Sequence, residues 1–386
     1  MLSESRYIYL DNSATSWPKP PAVAEAMTRF LDEEGGSAGR GSHTRAIHAA
    51  QTVFAAREAA ARLLGVTQPQ RICLGPGATW ALNQALYGLL KPGDRVLACV
   101  TNHNAVRRPL LDLARRGVIG LDWFAPADHT RPHDPADLDL LLTLKRPRML
   151  CLNHVSNVLG TVQPLAELTA VAHAHGALVL ADVAQASGAV PLDLERWGVD
   201  AAAFTGHKGM LGPQGTGGLY AAAGIEPIPL LRGGGGTPTS EDMPEELPER
   251  LECGTYNVVG LTGLTAGIGW VLDRGVEELH RRKARLLETL LDILGKNGAR
   301  VLGPPGVTGR APLVSFTIPG RDSNRLAADL EERGGIQVRS GLHCAPGAHE
   351  LAGTRETGAV RISLGPFNTA EELAVLDQTL LSLTRH

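Results

Sequence analysis

Apolar runs of strand length alternate with helical stretches between residues 71 and 222. The runs occupy 71–75, 95–100, 148–157, 177–182, 201–206 and 216–222. They are largely continuous in apolar residues, which is typical of strands that are buried on both faces of a sheet. Because helical stretches separate most of the runs, the pattern predicts an α/β fold with a mostly parallel sheet covered by helices on both sides.

Polar side chains follow these runs, where the predicted strands end. They are Thr79, His103, Asn157, Asp182 with Gln185, and the segment 205–208. In open parallel sheets, ligands bind beyond the carboxyl ends of the strands. We therefore expect a ligand site at this edge of the sheet.

The chain divides after the segment 233–248, which is rich in glycine, proline and acidic residues. We expect residues 17–262 to form a large domain, and residues 1–16 with 263–386 to form a smaller α/β domain. The predicted helices lie at about 21–32, 48–64, 276–295, 324–333 and 369–383, and the smaller domain has strands near 313–318, 336–339 and 360–363. Gly65 is the expected stop of the second helix, and Thr369 with Glu372 predicts a capping box.

The composition argues against several classes of protein. The chain of 386 residues is 43% hydrophobic and 20% charged, with a net charge of -3, so no basic face suggests a nucleic-acid partner. No apolar run approaches the ~20 residues that span a bilayer, and the first residues lack the pattern of a secretory signal. The five cysteines show no C-x-x-C spacing, which argues against a disulfide framework and a zinc ribbon. We expect a cytoplasmic enzyme with reduced thiols and no membrane partner.

Lys208 lies between an apolar run and a glycine-rich turn. The glycines of this turn are Gly209, Gly212, Gly215, Gly217 and Gly218. Flexible backbone lets a bulky ligand approach, and a partly desolvated lysine becomes a nitrogen nucleophile. The segment therefore suggests a Schiff base between Lys208 and pyridoxal phosphate. A solvated lysine in a connecting loop is the alternative.

The segment 75–83 places a glycine-rich turn before a helix. Amides at a helix N-terminus, together with the Thr79 hydroxyl, suit the binding of one phosphate group. The turn matches neither G-x-x-x-x-G-K-[ST] nor G-x-G-x-x-G, which disfavours nucleotide binding and a dinucleotide-dependent oxidoreductase. A plain helix start is the alternative.

Asp182 and His103 have the chemistry that a pyridine ring requires. Asp182 ends an apolar run, so its carboxylate needs a cationic or hydrogen-bonding partner, and a protonated pyridine nitrogen would be one. A helix-capping aspartate is the alternative. His103 follows the run 95–100, where an imidazole could stack on a planar ring or move protons. A structural histidine is the alternative there.

Cys344 and Arg361 are the remaining candidates. Cys344 lies beside His343 in the glycine-flanked loop 341–346, where it is a candidate reactive thiolate. The other four cysteines lie in or beside apolar runs, as buried small hydrophobic residues do. Arg361 lies within a predicted strand and could clamp a carboxylate through two parallel hydrogen bonds, with a structural salt bridge as the alternative.

Motifs in a characteristic order extend over almost the whole chain. They are DNSATSWPKP, GPGATWALN, NHNAVRRPL, HVSNVLGT, LADVAQASG, FTGHKGMLGPQGTGGLY, ECGTYN, RSGLHCAPGAHE and AVRISLGPFNT. Together they resemble the class V, fold type I pyridoxal-phosphate enzymes, in the branch of the cysteine desulfurases and selenocysteine lyases. The resemblance implies a large domain with a mostly parallel, seven-stranded type of sheet and a smaller C-terminal α/β domain.

The resemblance also implies a role for each candidate residue. Lys208 matches the Schiff-base lysine, Asp182 the partner of the pyridine nitrogen, and His103 the histidine that stacks on the ring. Cys344 matches the persulfide-forming cysteine and Arg361 the arginine that binds the substrate carboxylate. The remaining matches are Gln185 and Asn157 near the ring hydroxyl, Asn157 and Arg40 near the substrate, Ala78, Thr79, Thr205 and His207 at the phosphate, and Thr255 at the phosphate of a partner subunit.

The reaction implied by the resemblance converts L-cysteine to L-alanine. Lys208 would move the α-proton, and Cys344, helped to ionise by His343 or His103, would take the sulfur as a persulfide. The match of Thr255 implies a homodimer. The persulfide sulfur would then pass to an acceptor protein or a thiol, for example in iron–sulfur cluster assembly. The alternatives are L-selenocysteine as substrate, another class V reaction such as transamination or epimerisation, and a non-enzymatic scaffold of this fold.

Four features depart from the family pattern. Trp80 and Asn102 replace residues that are usually acidic, and Tyr256 stands where proline is frequent. The loop 37–45 differs from the usual entrance loop. We expect these departures to affect the substrate range and the choice of partner rather than the cofactor.

Overall fold

The structure is a computed structural model that describes residues 7–39, 41–234 and 241–384. Arg40, which was predicted at the substrate site, lies outside the described residues. Within these ranges, none of the helices combines the length and the apolar character that crossing a bilayer requires.

A short strand and two helices precede the central sheet: β1 (Ile8–Tyr9), α1 (Pro21–Arg29) and α2 (Thr44–Leu64). Residues 30–34 continue α1 as a wider π-helical turn, so the α-helix ends before the predicted position. The helix α2 begins earlier than predicted, because His43 caps it and its Nδ1 accepts the Ala46 amide at 3.3 Å. Gly65, with a left-handed φ of 68°, ends α2 as predicted.

Seven strands form the central sheet: β2 (Ile72–Gly75), β3 (Arg95–Cys99), β4 (Gly120–Phe124), β5 (Met149–Asn153), β6 (Leu178–Asp182), β7 (Ala201–Thr205) and β8 (Gly217–Ala221). Their order is β2-β8-β7-β6-β5-β3-β4. The strand β8 is antiparallel to both neighbours, and all other pairs are parallel. The prediction of a mostly parallel sheet is confirmed.

Helices cover both faces of this sheet. They include α3 (Ala78–Leu89), α4 (Asn104–Arg115), α5 (Pro135–Lys145) and α6 (Leu165–Ala174). Alternate residues of one strand enter different cores: Met149 and Cys151 of β5 pack into one, and Leu150 and Leu152 into the other. Burial on both sides is the reason why the strand sequences are continuously apolar.

A second group of elements follows: α7 (Val258–Arg274), α8 (Val276–Lys296), β9 (Arg300–Leu302), β10 (Leu313–Thr317), α9 (Ser323–Gly334), β11 (Ile336–Gln337), β12 (Arg339–Gly341), α10 (Pro346–Leu351), β13 (Ala359–Ser363) and α11 (Ala370–Thr384). An antiparallel sheet has the order β12-β13-β10-β9, and β1 pairs in parallel with β11. The single strand predicted at 336–339 is wrong, because its two halves pair with different strands and separate into β11 and β12. The predicted capping box is confirmed, since the Thr369 amide donates to the Glu372 carboxylate at 3.0 Å.

The N-terminal segment packs with the C-terminal elements. Leu10 belongs to the same apolar cluster as Leu287, Phe316 and Leu376. The helix α7 runs through residue 262 and packs against α1 and α2. The domain boundaries proposed from the sequence, at residues 16 and 262, stay a prediction.

A buried ion pair joins α2 to the segment before α7. Two Arg57 nitrogens donate to the two carboxylate oxygens of Glu252 at 2.6 and 2.8 Å. The Tyr256 hydroxyl donates to the same carboxylate at 2.7 Å, and the Leu74 amide also donates to it. Both charged side chains are almost fully buried, so removal of either leaves the other unpaired away from water.

We expect Arg57→Met to lower the free energy of unfolding by about 3–5 kcal/mol, because the Glu252 carboxylate would be left buried without its cation. Denaturant unfolding followed by circular dichroism measures this change. The matched control is Arg95→Met, which removes a half-exposed partner of Asp122 and should cost about 1 kcal/mol or less. Equal losses in the two variants would contradict the prediction.

Candidate active site

A cavity of about 430 Å³ opens at the carboxyl ends of the central strands. It brings together eleven of the predicted residues: Ala78, Thr79, His103, Asn157, Asp182, Gln185, Thr205, His207, Lys208, Cys344 and Arg361. Thr255 instead lies in an exposed loop beside a different cavity, which Arg57 and Glu252 also line. The sequence therefore predicted the composition of this site closely, while the role of each residue stays a prediction.

One end of the cavity is the N-terminus of α3. Gly77 precedes the helix with a φ of 149°, which L side chains rarely adopt, and a Cβ on Gly217 would lie 2.6 Å from its Cα. The close approach of these two backbones places the first turn of α3, with Ala78 and Thr79, beside Thr205. First-turn amides have no partner within their helix and favour an anion.

His207 also lines this part of the cavity. Its Nδ1 is buried and has no hydrogen-bond partner among the residues that the structure describes. Burial, together with the charges of Lys208 and Lys19, lowers the pKa of His207 to about 4. The imidazole is therefore neutral at pH 7.

Lys208 and Asp182 line the cavity together, Asp182 at the end of β6 and Lys208 in the turn after the neighbouring strand β7. Burial lowers the pKa of Lys208 to about 8, although the nearby Asp182 carboxylate favours the charged amine. No side chain in the described ranges forms a hydrogen bond or an ion pair with the Lys208 amine. Asp182 ends β6, and one of its carboxylate oxygens accepts the Ala184 amide at 2.9 Å. A lysine with a lowered pKa and no partner is a suitable nitrogen nucleophile.

His103 is held in one orientation by the helix that it caps. Its Nδ1 accepts the Ala105 amide at 3.0 Å. In the neutral ring the proton therefore lies on Nε2. Burial lowers the pKa of His103, and the charge of Lys208 also lowers it, against the opposing effect of Asp182.

The loop that carries Cys344 has unusual backbone geometry. His343 and Cys344 have positive φ angles of 49° and 58°, which non-glycine residues seldom adopt. The carbonyls of both residues accept hydrogen bonds. Asn157 Nδ2 donates to the His343 carbonyl at 2.6 Å, and the Asn104 amide donates to the Cys344 carbonyl at 2.7 Å. Cys344 itself is exposed at the cavity.

The predicted help of His343 in ionising Cys344 is wrong. The His343 ring is buried and forms hydrogen bonds with His349 and with the Arg339 carbonyl, at 3.3 Å each. Burial and the charge of Arg361 lower the pKa of His343 far below its ordinary value, so the ring stays neutral. His103 shares the cavity with Cys344 and remains the predicted assistant.

Arg361 forms the structural salt bridge that the sequence left open as one alternative, and its role as a carboxylate clamp stays a prediction. Its guanidinium donates to the Asn157 carbonyl at 3.1 Å and to the Asp11 carboxylate at 2.9 Å. Its Nε is buried and, within the described part of the chain, has no partner. The salt bridge with Asp11 therefore leaves one donor of the cavity-lining guanidinium unused.

The sequence missed several residues that line the same cavity: Ser13, Asn153 and Arg339. Asn153 ends β5 and lies opposite Asp182 in the register of the sheet. Ser13 and Arg339 lie inside the motifs DNSATSWPKP and RSGLHCAPGAHE, which is the signal that could have found them.

The three single-residue departures from the family pattern have structural partners. The Trp80 ring packs over Gly75, where a Cβ would lie 2.3 Å from it. Asn102 is fully buried and its Nδ2 donates to the Cys151 carbonyl at 2.9 Å. Tyr256 donates to the buried Glu252. Of the three, only Trp80 lines the cavity that holds Lys208.

Comparisons with known proteins agree with this geometry. The aminotransferase class-V family matches residues 8–376. A probable cysteine desulfurase of Methanothermobacter thermautotrophicus is 35% identical over 97% of this chain and 94% of its own. A probable cysteine desulfurase of Synechocystis is 31% identical over 98% of this chain and 91% of its own.

Solved structures give the same result. The apo cysteine desulfurase of Thermococcus onnurineus superimposes with a TM-score of 0.91 at 30% identity, over 98% of this chain and 95% of that one. The cysteine desulfurase CsdA of Escherichia coli has a TM-score of 0.86 at 30% identity, over 98% and 96% of the two chains. The fold is therefore that of the fold type I enzymes, and the chain belongs to the aminotransferase class-V family, in the group of its cysteine desulfurases.

Proposed function

We propose that the protein is a pyridoxal-phosphate-dependent cysteine desulfurase, which converts L-cysteine to L-alanine and retains the sulfur as a persulfide on Cys344. The observation that carries the proposal is the presence of an exposed cysteine, on a loop fixed by Asn157 and Asn104, in the same cavity as Lys208 and Asp182. The names of the similar proteins support the same reaction.

The residues of the cavity fit this cofactor. The first turn of α3, with Ala78, Thr79, Thr205 and His207, would hold the phosphate, and the unpartnered His207 Nδ1 is a group that such a ligand could satisfy. Lys208 would bond the aldehyde carbon, Asp182 would pair with the pyridine nitrogen, and His103 would lie against the ring. Gln185 and Asn157 would lie near the ring hydroxyl. When bound, the cofactor supplies an electron sink for bond cleavage at the substrate carbons.

The chain's own residues would carry out the remaining work. Arg361 would orient the substrate carboxylate, because its buried Nε is an unused donor at the cavity. Lys208 would take the proton from Cα, since burial has lowered its pKa to about 8. The Cys344 thiolate would form an S–S bond with the substrate sulfur while the Cβ–S bond breaks. Alanine would be complete once Cβ gains a proton and Lys208 returns a proton to Cα.

We further propose that the protein is a homodimer and that Thr255 completes the phosphate site of the partner subunit. Thr255 lies in an exposed loop, away from the cavity of its own chain. Phe54, which is 52% exposed, lines the same surface cavity as Thr255. An exposed aromatic side chain beside a polar loop is typical of a protein interface. The sulfur acceptor, a protein or a small thiol, would then approach the opening at Cys344.

The proposed function is tested by product analysis of the wild-type protein. After incubation of the cofactor-loaded enzyme with L-cysteine, we expect the peptide that contains Cys344 to gain the mass of one sulfur atom. Alanine should form in equal amount in a single turnover without a reductant. The half-buried Cys253 serves as the internal control and should remain unmodified. Alanine without sulfur on Cys344, or no alanine at all, would contradict the proposal.

A further inference from the structure

Three buried polar side chains form a chain behind the Cys344 loop. His343 Nδ1 lies 3.3 Å from His349 Nε2, and His349 Nδ1 lies 2.8 Å from Thr354 Oγ1. At the other end, His343 Nε2 lies 3.3 Å from the Arg339 carbonyl oxygen. The two imidazole rings are stacked, and His349 and Thr354 are almost completely excluded from solvent.

The proton positions in this chain follow from its end at the Arg339 carbonyl. A carbonyl oxygen can only accept, so His343 must carry its proton on Nε2. The neutral His343 ring then accepts at Nδ1, which requires that His349 donates from Nε2. His349 therefore accepts at Nδ1, and the Thr354 hydroxyl is the donor. Burial lowers the pKa of His349 to about 4, which agrees with two neutral rings.

His343, the ring of this chain that bonds the Arg339 carbonyl, is the residue next to Cys344. His343 and Cys344 both have left-handed backbone conformations, which persist in non-glycine residues only when their surroundings enforce them. Asn157 and Asn104 hold the carbonyls of both residues, and the His343 ring adds a further attachment through its hydrogen bonds with His349 and the Arg339 carbonyl.

We propose that His349 and Thr354 are positioning residues for Cys344, which orient the His343 ring and thereby hold the thiol at the cavity for sulfur transfer. The catalytic part of this inference rests on the function proposed above. Neither residue touches the cavity that contains Lys208, so both act through His343. The proposal predicts a defect in sulfur transfer without a defect in the chemistry at Cα.

The test compares Thr354→Val with Thr354→Ser and with the control Thr143→Val, which changes an exposed threonine on α5. Thr354→Val keeps the shape of the side chain but leaves His349 Nδ1 buried without a donor. We expect it to slow persulfide formation from L-cysteine at least about tenfold. The exchange of the α-hydrogen of L-alanine in D₂O, which needs Lys208 but not Cys344, should change less than about twofold. Thr354→Ser restores the donor and should restore the rate.

Hydrogen exchange measured by mass spectrometry gives a second readout that does not depend on activity. In Thr354→Val, the amides of residues 342–345 should exchange at least about tenfold faster than in Thr143→Val. Unchanged exchange in this loop would overturn the positioning role, whatever reaction the protein catalyses. Equal losses of sulfur transfer and α-hydrogen exchange would also overturn it, because they indicate general damage. A wild-type protein that forms no persulfide would instead refute the proposed function.

Discussion

Substitution of Cys344 by alanine is expected to reduce sulfur transfer from L-cysteine by a factor of at least about 10³, because the nucleophile that attacks the substrate sulfur is removed. Release of selenium from L-selenocysteine should continue, since that cleavage does not need an attacking thiol. The two rates are measured in parallel, as alanine formed from L-cysteine and selenide released from L-selenocysteine. A loss of the first rate with the second rate retained indicates a desulfurase that uses Cys344. An enzyme that only cleaves the selenium substrate would show no such difference between wild type and variant.

The control for this substitution is Cys253→Ala, which removes another solvent-accessible thiol and leaves Cys344 in place. It should retain the wild-type rate with both substrates. The visible absorption of the bound cofactor should be the same in both variants, because Cys344 lies in a loop and does not hold the ring in the proposed arrangement. If Cys344→Ala turned over L-cysteine at the wild-type rate, the assignment of the persulfide to this residue would be wrong.

The fold could be predicted from the sequence where burial is strongest. The central strands place alternate residues in two different cores, so their sequences are continuously apolar and easy to recognise. The strand β4 was missed because it lies at the edge of the sheet and carries Asp122, which pairs with Arg95 and Lys145. Polar residues that are satisfied by neighbours distant in sequence interrupt the apolar pattern on which the prediction depends.

The site was predictable to the extent that its residues end strands. Asp182 directly ends β6, and Lys208 follows β7 by three residues, where a parallel sheet binds its ligand. The pairing of Arg361 with Asp11 could not be predicted, because it depends on a bridge between Asp11 and Ser363 at opposite ends of the chain. The hydrogen bonds of the His343 ring with His349 and the Arg339 carbonyl could not be predicted for a similar reason: they depend on a left-handed backbone that no motif shows.

Lysine chemistry provides the most severe test of the whole proposal. We expect Lys208→Ala to lower the rate of alanine formation by at least about 10⁴-fold, since one side chain supplies both the covalent bond to the cofactor and the proton transfer at Cα. Treatment of the wild-type protein with borohydride should fix the cofactor on the peptide that contains Lys208, and the variant should yield no such adduct. Mass spectrometry of the digested protein identifies the modified residue.

Lys19 is a matched control, because burial lowers its pKa to about 8, as it does for Lys208. The Lys19 amine, however, donates to the Ser16 hydroxyl at 2.7 Å and to the His207 carbonyl at 2.9 Å, so it is not free to react. We therefore expect Lys19→Ala to keep the borohydride adduct on Lys208. An adduct on Lys19 in the wild-type protein would show that Lys208 is not the residue that bonds the cofactor. If neither lysine carried an adduct, the proposed cofactor chemistry would have to be abandoned.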